Sequence, residues 1–226
     1  MRLAKDHLDV GLSTDDWDAA QRFWGDEIGC TYEEFLKIGA GVRQHRFGCN
    51  GSVVKINHSR DPLPQSPTVH RLLRIATPSV AEPRLTRDPE GVEVELVPPG
   101  HDDVVGLEIV NAVSDALLAE RFWVAGVGAE AVGPNRYRVG DTLVRCVPTP
   151  GLVPMITRQA AGWRYLTVQV WNVDAEHARM LDLGFAEEFA PVNLGTTARI
   201  SFVRDADGMY LEISQRASLT GPLPPA

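Results

Sequence analysis

The chain of 226 residues is poor in several things, and each shortage removes a class of explanation. It has three cysteines, Cys30, Cys49 and Cys146. An odd number without C-x-x-C spacing supports neither a disulfide framework nor a cysteine-built zinc site, and the three read as reduced thiols. No apolar run approaches the roughly 20 residues that cross a bilayer, so no membrane partner is expected. Basic residues are outnumbered, 22 Lys and Arg against 30 Asp and Glu, for a net charge of -8. Nucleic acid, whose phosphates demand clustered cations, is therefore not an expected partner. Residues 1–6 carry no signal-peptide pattern, and a cytoplasmic protein is expected.

What is present is short-period patterning and repetition. Leu8, Val10 and Leu12 alternate with His7, Asp9 and Gly11, the signature of a half-buried strand over 7–12. Ser13-Thr14-Asp15-Asp16 offers a helix N-cap and early acids. Trp17, Ala20, Trp24 and Ile28 follow at helical spacing, and Gly29 can end the helix. Strands near 32–38, 41–47 and 52–57 complete a β-α-β-β-β unit, with Asn50-Gly51 as one hairpin turn.

The unit recurs. Ala20-Gln21-Arg22-Phe23-Trp24 is echoed 99 residues later by Ala119-Glu120-Arg121-Phe122-Trp123, and the same offset carries Gly29 onto Gly128 and Asp9 onto Glu108. One register shared by a strand, a helix and a helix end indicates duplication. Two further units begin near His70 and Tyr165, the former too short for a full set of elements. Two of the four end alike. Asp88-Pro89-Glu90-Gly91 and Asp205-Ala206-Asp207-Gly208 suit type I turns, and each leads into an alternating strand with a glutamate, Glu95 or Glu212, four residues after its glycine. The expected organisation is an N-terminal domain over 1–100, a C-terminal domain over 101–217 and a flexible tail over 218–226.

Four such units, with D-P-x-G-x-x-x-E-like endings at 88–95 and 205–212, resemble the vicinal oxygen chelate superfamily, which contains glyoxalases, bleomycin-resistance proteins and extradiol dioxygenases. The resemblance covers nearly the whole chain. It implies an α+β fold of paired βαβββ modules, forming two glyoxalase-like domains whose mixed sheets are cupped with helices outside. It also implies a divalent metal, Fe, Mn, Zn, Ni or Co, held by residues from the first and last strands of paired units. Pairing the first unit with the second places His7, His70 and Glu95 as ligands and Lys55 at the fourth ligand position. A protonated lysine cannot donate to a metal, so Lys55 is instead a candidate catalytic residue, pointing into the cup by the parity of its strand, as a base or to orient an anionic substrate. Arg43, His45 and Arg74 are candidates for substrate contact in the same cup. The second half puts Gly106 where His7 stands and Tyr165 where His70 stands, and is expected to bind no metal.

The function implied is metal-assisted proton or group transfer on a small oxygenated substrate. Two alternatives stay open: a metal-free binding protein of the bleomycin-resistance type, and a ring-cleaving Fe(II) dioxygenase. Homodimerisation is open as well. Without the resemblance, the two histidines suit ordinary positions at strand starts, and Lys55 and Glu95 suit solvated sheet positions.

Overall fold

A computed structural model describes residues 1–39 and 41–225. The repeated units stand in it with matching detail. In the first, β1 (Asp9–Thr14) leads to a helix, α1, over Trp17–Gln21 that widens into a π-helical segment over Arg22–Glu27. Asp16 caps it, accepting a hydrogen bond from Ala19 N at 3.0 Å. Three strands follow: β2 (Thr31–Gly39), β3 (Val42–Cys49) and β4 (Ser52–Ser59).

The third unit has β8 (Leu107–Val113), helix α2 (Ala116–Glu120) with its own π-helical segment over Arg121–Val127, then β9 (Glu130–Gly133), β10 (Arg136–Val139) and β11 (Thr142–Pro148). Its cap, Asp115, lies 99 residues after Asp16. The duplicated pairs also pack alike: Phe23 on Trp24 at 5.2 Å and 82°, Phe122 on Trp123 at 5.5 Å and 83°. The wider π turn presents both aromatic rings of each pair to the core, where all four are buried.

The fourth unit is complete: β12 (Gly162–Gln169), α3 (Val173–Asp182), β13 (Ala186–Leu194), β14 (Ala198–Arg204) and β15 (Tyr210–Arg216). The second, as its length implies, is reduced to β5 (His70–Ala76), β6 (Arg84–Arg87) and β7 (Glu93–Val97), with no helix among its described residues. The tail begins with a one-turn helix, α4 (Ala217–Thr220), and Pro224 O accepts from Asn193 Nδ2 at 3.0 Å.

How the units combine differs from the division at residue 100. The eight-stranded sheet has the order β13-β14-β15-β12-β1-β4-β3-β2, and the seven-stranded sheet β6-β7-β5-β8-β11-β10-β9. The first unit thus pairs with the fourth, and the second with the third. In each sheet two first strands meet antiparallel, β1 with β12 and β5 with β8. One apolar core joins the two sheets and the helices, running through Val10, Leu12, Val54 and Ile56 of one sheet and Leu73, Ile75, Val94 and Ile109 of the other. Because side chains alternate along a strand, the intervening residues form the opposite, polar face of each sheet.

Candidate ligand site

The polar face of the eight-stranded sheet curls around a cavity of about 1430 Å³, lined from all eight strands and from the segments around Leu63 and Arg158. Register sets its floor. Gly11 of β1 stands beside Lys55 of β4 and, across the joint, beside Tyr165 of β12. Asp9 stands beside Thr167, and Thr167 beside Glu212 of β15. Lys55 Nζ donates to Glu212 Oε2 at 2.6 Å and to Thr167 Oγ1 at 2.8 Å, and Thr167 Oγ1 donates to the same Glu212 oxygen at 2.5 Å. Both bonds to the carboxylate fall on Oε2. Burial pulls the proton affinity of Lys55 below the ordinary lysine value, a pull that the Glu212 and Asp9 charges only partly offset.

Asp9 is occupied elsewhere. It accepts from Lys5 Nζ at 2.6 Å, Val53 N at 2.9 Å and Gln169 Nε2 at 3.2 Å. Burial would raise its pKa, but Lys5, Lys55 and Arg46 outweigh that and hold it below the usual carboxylate range.

Above the floor lies Tyr165, whose ring rests flat on Gly11. A Cβ at that glycine would come within 2.2 Å of the ring, so β1 needs a residue without a side chain there. The Tyr165 hydroxyl meets Gln44 Nε2 at 3.2 Å and Asn57 Nδ2 at 3.1 Å. The walls carry Phe35, Phe189, Ile200 and Phe202, with Arg158 stacked 4.2 Å over the Phe202 ring.

The residues singled out from sequence fall in six places. Lys55 is in the cavity, as its strand parity implied. His7 precedes β1 instead of lying in it: the next residue, Leu8, spends its N–H on Thr142 Oγ1, and the His7 ring packs against the β3–β4 turn over Gly51. His70 faces the apolar core between the sheets, stacked 4.5 Å from Trp163 with Nδ1 2.8 Å from Asn111 Oδ1. Burial pushes its pKa down to about 3, so it is a neutral core imidazole. Glu95 belongs to the polar face of the other sheet, where it accepts from Arg74 Nε at 2.6 Å.

Arg74 sits with it, also holding Glu108 at 2.7 Å and Asp102 at 3.0 Å. Burial opposes its charge, but the bonds to Glu108, Glu95 and Asp102 raise its pKa further. His45 lies on the opposite face of β3 from Gln44 and Arg46, stacked 3.6 Å from Trp17, with burial first and His58 and Arg43 next lowering its pKa to about 4. Arg43 lines a separate, smaller groove with His58 and Arg60.

The proposed ligands therefore do not meet: His7 flanks one sheet, His70 is in the core and Glu95 is in an ion pair. Among the described residues no group of three or more His, Cys, Asp or Glu side chains is placed to hold a metal. The positions that face each other on this side of the sheet are Asp9, Lys55, Thr167 and Glu212, of which Lys55 and Glu212 line the cavity. Two carboxylates remain there, one already bound to the ammonium and the other to Lys5 and a backbone N–H. This donor set does not fit a divalent cation, because an ammonium holds the centre of the cluster and its nitrogen has no free lone pair. Gln44, Asn57, Arg158, Tyr165, Thr167 and Glu212 were not among the sequence candidates. One signal for Glu212 was available: it and Lys55 lie in the last strands of two complete units and carry opposite charge.

No family model and no curated relative matches the sequence. Solved structures do match the fold. Glyoxalase I from Zea mays superposes with a TM-score of 0.72 at 12% identity, over 92% of this chain and 92% of that one. A Bacillus subtilis protein provisionally named a dioxygenase gives 0.69 at 13% identity, over 95% and 86%. The cppA protein from Streptococcus pneumoniae gives 0.54 at 8% identity, over 93% and 98%. At these identities the likeness is one of fold.

Proposed function

We propose that this chain, which has the vicinal oxygen chelate fold, binds a small organic molecule in the cup of its eight-stranded sheet without a metal ion. The carrying observation is the Lys55–Thr167–Glu212 cluster on the floor of a 1430 Å³ cavity. A tethered ammonium there supplies positive charge to a bound oxygen, and the aromatic walls supply apolar contact. In a cavity partly shielded from water that charge acts on a ligand more strongly than it does in bulk solvent.

A second reading, proton transfer by the same cluster, is favoured by Glu212 Oε1, which has no hydrogen-bond partner among the described residues. Glu212 Oε1 would take a proton from the ligand while Lys55 steadies the charge that develops.

The test is a thermal-shift screen of small aromatic and oxygenated compounds run with a chelator present. Stabilisation by a subset of compounds in wild type, and its loss in Ile200→Trp, whose larger side chain intrudes on the cup between the aromatic walls, is the expected result. Stabilisation that needs an added metal, or that survives Ile200→Trp, contradicts the proposal.

A further inference from the structure

The hydrogen bonds around Tyr165 leave its proton only one direction. Asn57 Nδ2 lies 2.9 Å from Leu12 O, a carbonyl that can only accept, so that atom is the amide nitrogen. Asn57 Oδ1 then faces Gln44, 3.0 Å away, and the Gln44 atom there is the nitrogen. Each NH₂ group has two protons. Asn57 spends them on Leu12 O and the Tyr165 hydroxyl, and Gln44 on Asn57 Oδ1 and the Tyr165 hydroxyl. Both lone pairs of the phenol oxygen are therefore taken. Its own O–H has no acceptor among the described residues, and Tyr165 is one of the residues that line the cavity. Burial, with Glu212 nearby, keeps the phenol protonated.

A second group is unpaired beside it. Arg158 forms no ion pair among the described residues, and its Nε is buried without a hydrogen-bond partner. Its guanidinium rides on Phe202, 4.2 Å from the ring centre, and Tyr165 packs on the same ring at 5.3 Å. The wider field agrees. Lys37, Arg46, Lys55, Arg158 and Arg216 line the cavity with Glu212; Arg46 and Arg216 reach Glu34 and Lys55 holds Glu212, which leaves Lys37 and Arg158 as the lining cations without an ion pair among the described residues. Unpaired charge of one sign attracts the other.

We propose that the ligand is a small aromatic anion whose charged oxygen is received by the Tyr165 hydroxyl and the Arg158 guanidinium. This rests on the cup being the ligand site. A purely apolar ligand would leave the buried phenol proton and the buried guanidinium N–H unsatisfied, and an anionic oxygen accepts from both through charge-assisted bonds that are stronger than those to a neutral oxygen.

The experiment titrates the full chain with two fluorescent probes of similar shape, the anionic 1-anilinonaphthalene-8-sulfonate and the neutral N-phenyl-1-naphthylamine. Wild type should bind the anion more tightly. Tyr165→Phe, which keeps the ring over Gly11, and Arg158→Met should each weaken the anion about tenfold or more and leave the neutral probe unchanged. Melting curves establish that each variant is folded. Unchanged anion affinity in either folded variant overturns the inference, as does equal binding of the two probes by wild type. Ile200→Trp separates the two levels: it should release both probes. If it does and the anion ignores Tyr165 and Arg158, the cup reading stands and the anion inference falls. If both probes stay bound, or neither binds wild type, both readings fall.

Discussion

The two sheets solve the same geometric problem in opposite ways. In the eight-stranded sheet the facing positions hold Asp9, Lys55, Thr167 and Glu212; in the seven-stranded sheet the neighbouring positions across β5, β7, β8 and β11 hold Arg74, Glu95, Glu108 and Arg145. Glu108 is fully buried and accepts from Arg74, Arg136 and Arg145. The same side is closed by a small apolar cluster of Ala76, Val97, Val104 and Leu143, with Val104 supplied by the connection between β7 and β8. Three guanidinium groups on one carboxylate, with apolar side chains packed beside them, leave a cemented interior. One lysine shared between a threonine and a glutamate leaves a carboxylate oxygen and a cavity. Charge of both signs sits in each cup, and its arrangement separates a structural network from a binding floor.

Breaking the cemented side should have the largest effect. Glu108→Ala takes the shared buried carboxylate from three guanidinium groups, leaving Arg74 with Glu95 and Asp102 and Arg136 with Asp103, and is expected to cost about 3 kcal/mol in denaturant unfolding. A loss under 1 kcal/mol would mean that the network is solvated and the contrast between the sheets is false.

The corresponding change in the open cup should cost less. Lys55→Met leaves Glu212 with only Thr167, but the free oxygen already faces the cavity, so a loss of about 1–3 kcal/mol is expected. Adding Glu212→Gln should recover most of it, since the unpaired charge is then gone. Failure of the double variant to recover would show that Lys55 acts through something other than Glu212.

A third effect is a matter of pH and is shared by the turns that end the two sheets. Asp205 Oδ1 accepts from Asp207 N and Met209 N, and Asp88 Oδ1 from Glu90 N and Val92 N, each pair within 2.8–3.0 Å. Burial, resisted by these bonds, raises Asp88 to about 6 and Asp205 to about 7. A carboxyl whose folded pKa is raised stabilises the fold below the ordinary carboxyl value and loses that contribution as pH rises through the folded one. Asp205→Asn keeps the acceptor and removes the titration. Its stability should fall less than wild type's between pH 4 and pH 7.5 in melts; parallel curves would contradict the assigned shift.

Much of this was legible in the sequence. The 99-residue register placed the aromatic pairs, Gly29 and Gly128, and Asp9 and Glu108 in equivalent positions, because local periodicity is written locally. The strand parity of Lys55 was legible for the same reason. Which units share a sheet was not. The joints between β1 and β12 and between β5 and β8 are antiparallel pairings between distant segments, with no turn to announce them. Pairing the first unit with the second drew His70 and Glu95 toward His7, whereas pairing it with the fourth brings Tyr165, Thr167 and Glu212 to Lys55. His7 failed for a smaller reason: the strand starts at Asp9, two residues later than alternation suggested. The short second unit was the available warning, since it lacks the strands to complete a cup for the first.

The most direct test of the central claim, that an ammonium occupies the position a metal would need, is a calorimetric titration of the purified chain with Mn(II), Ni(II) and Zn(II), paired with elemental analysis of the recovered protein. The expected result is no stoichiometric uptake of any of the three, in wild type and in Glu212→Gln alike. One equivalent bound by wild type and lost in Glu212→Gln would contradict it.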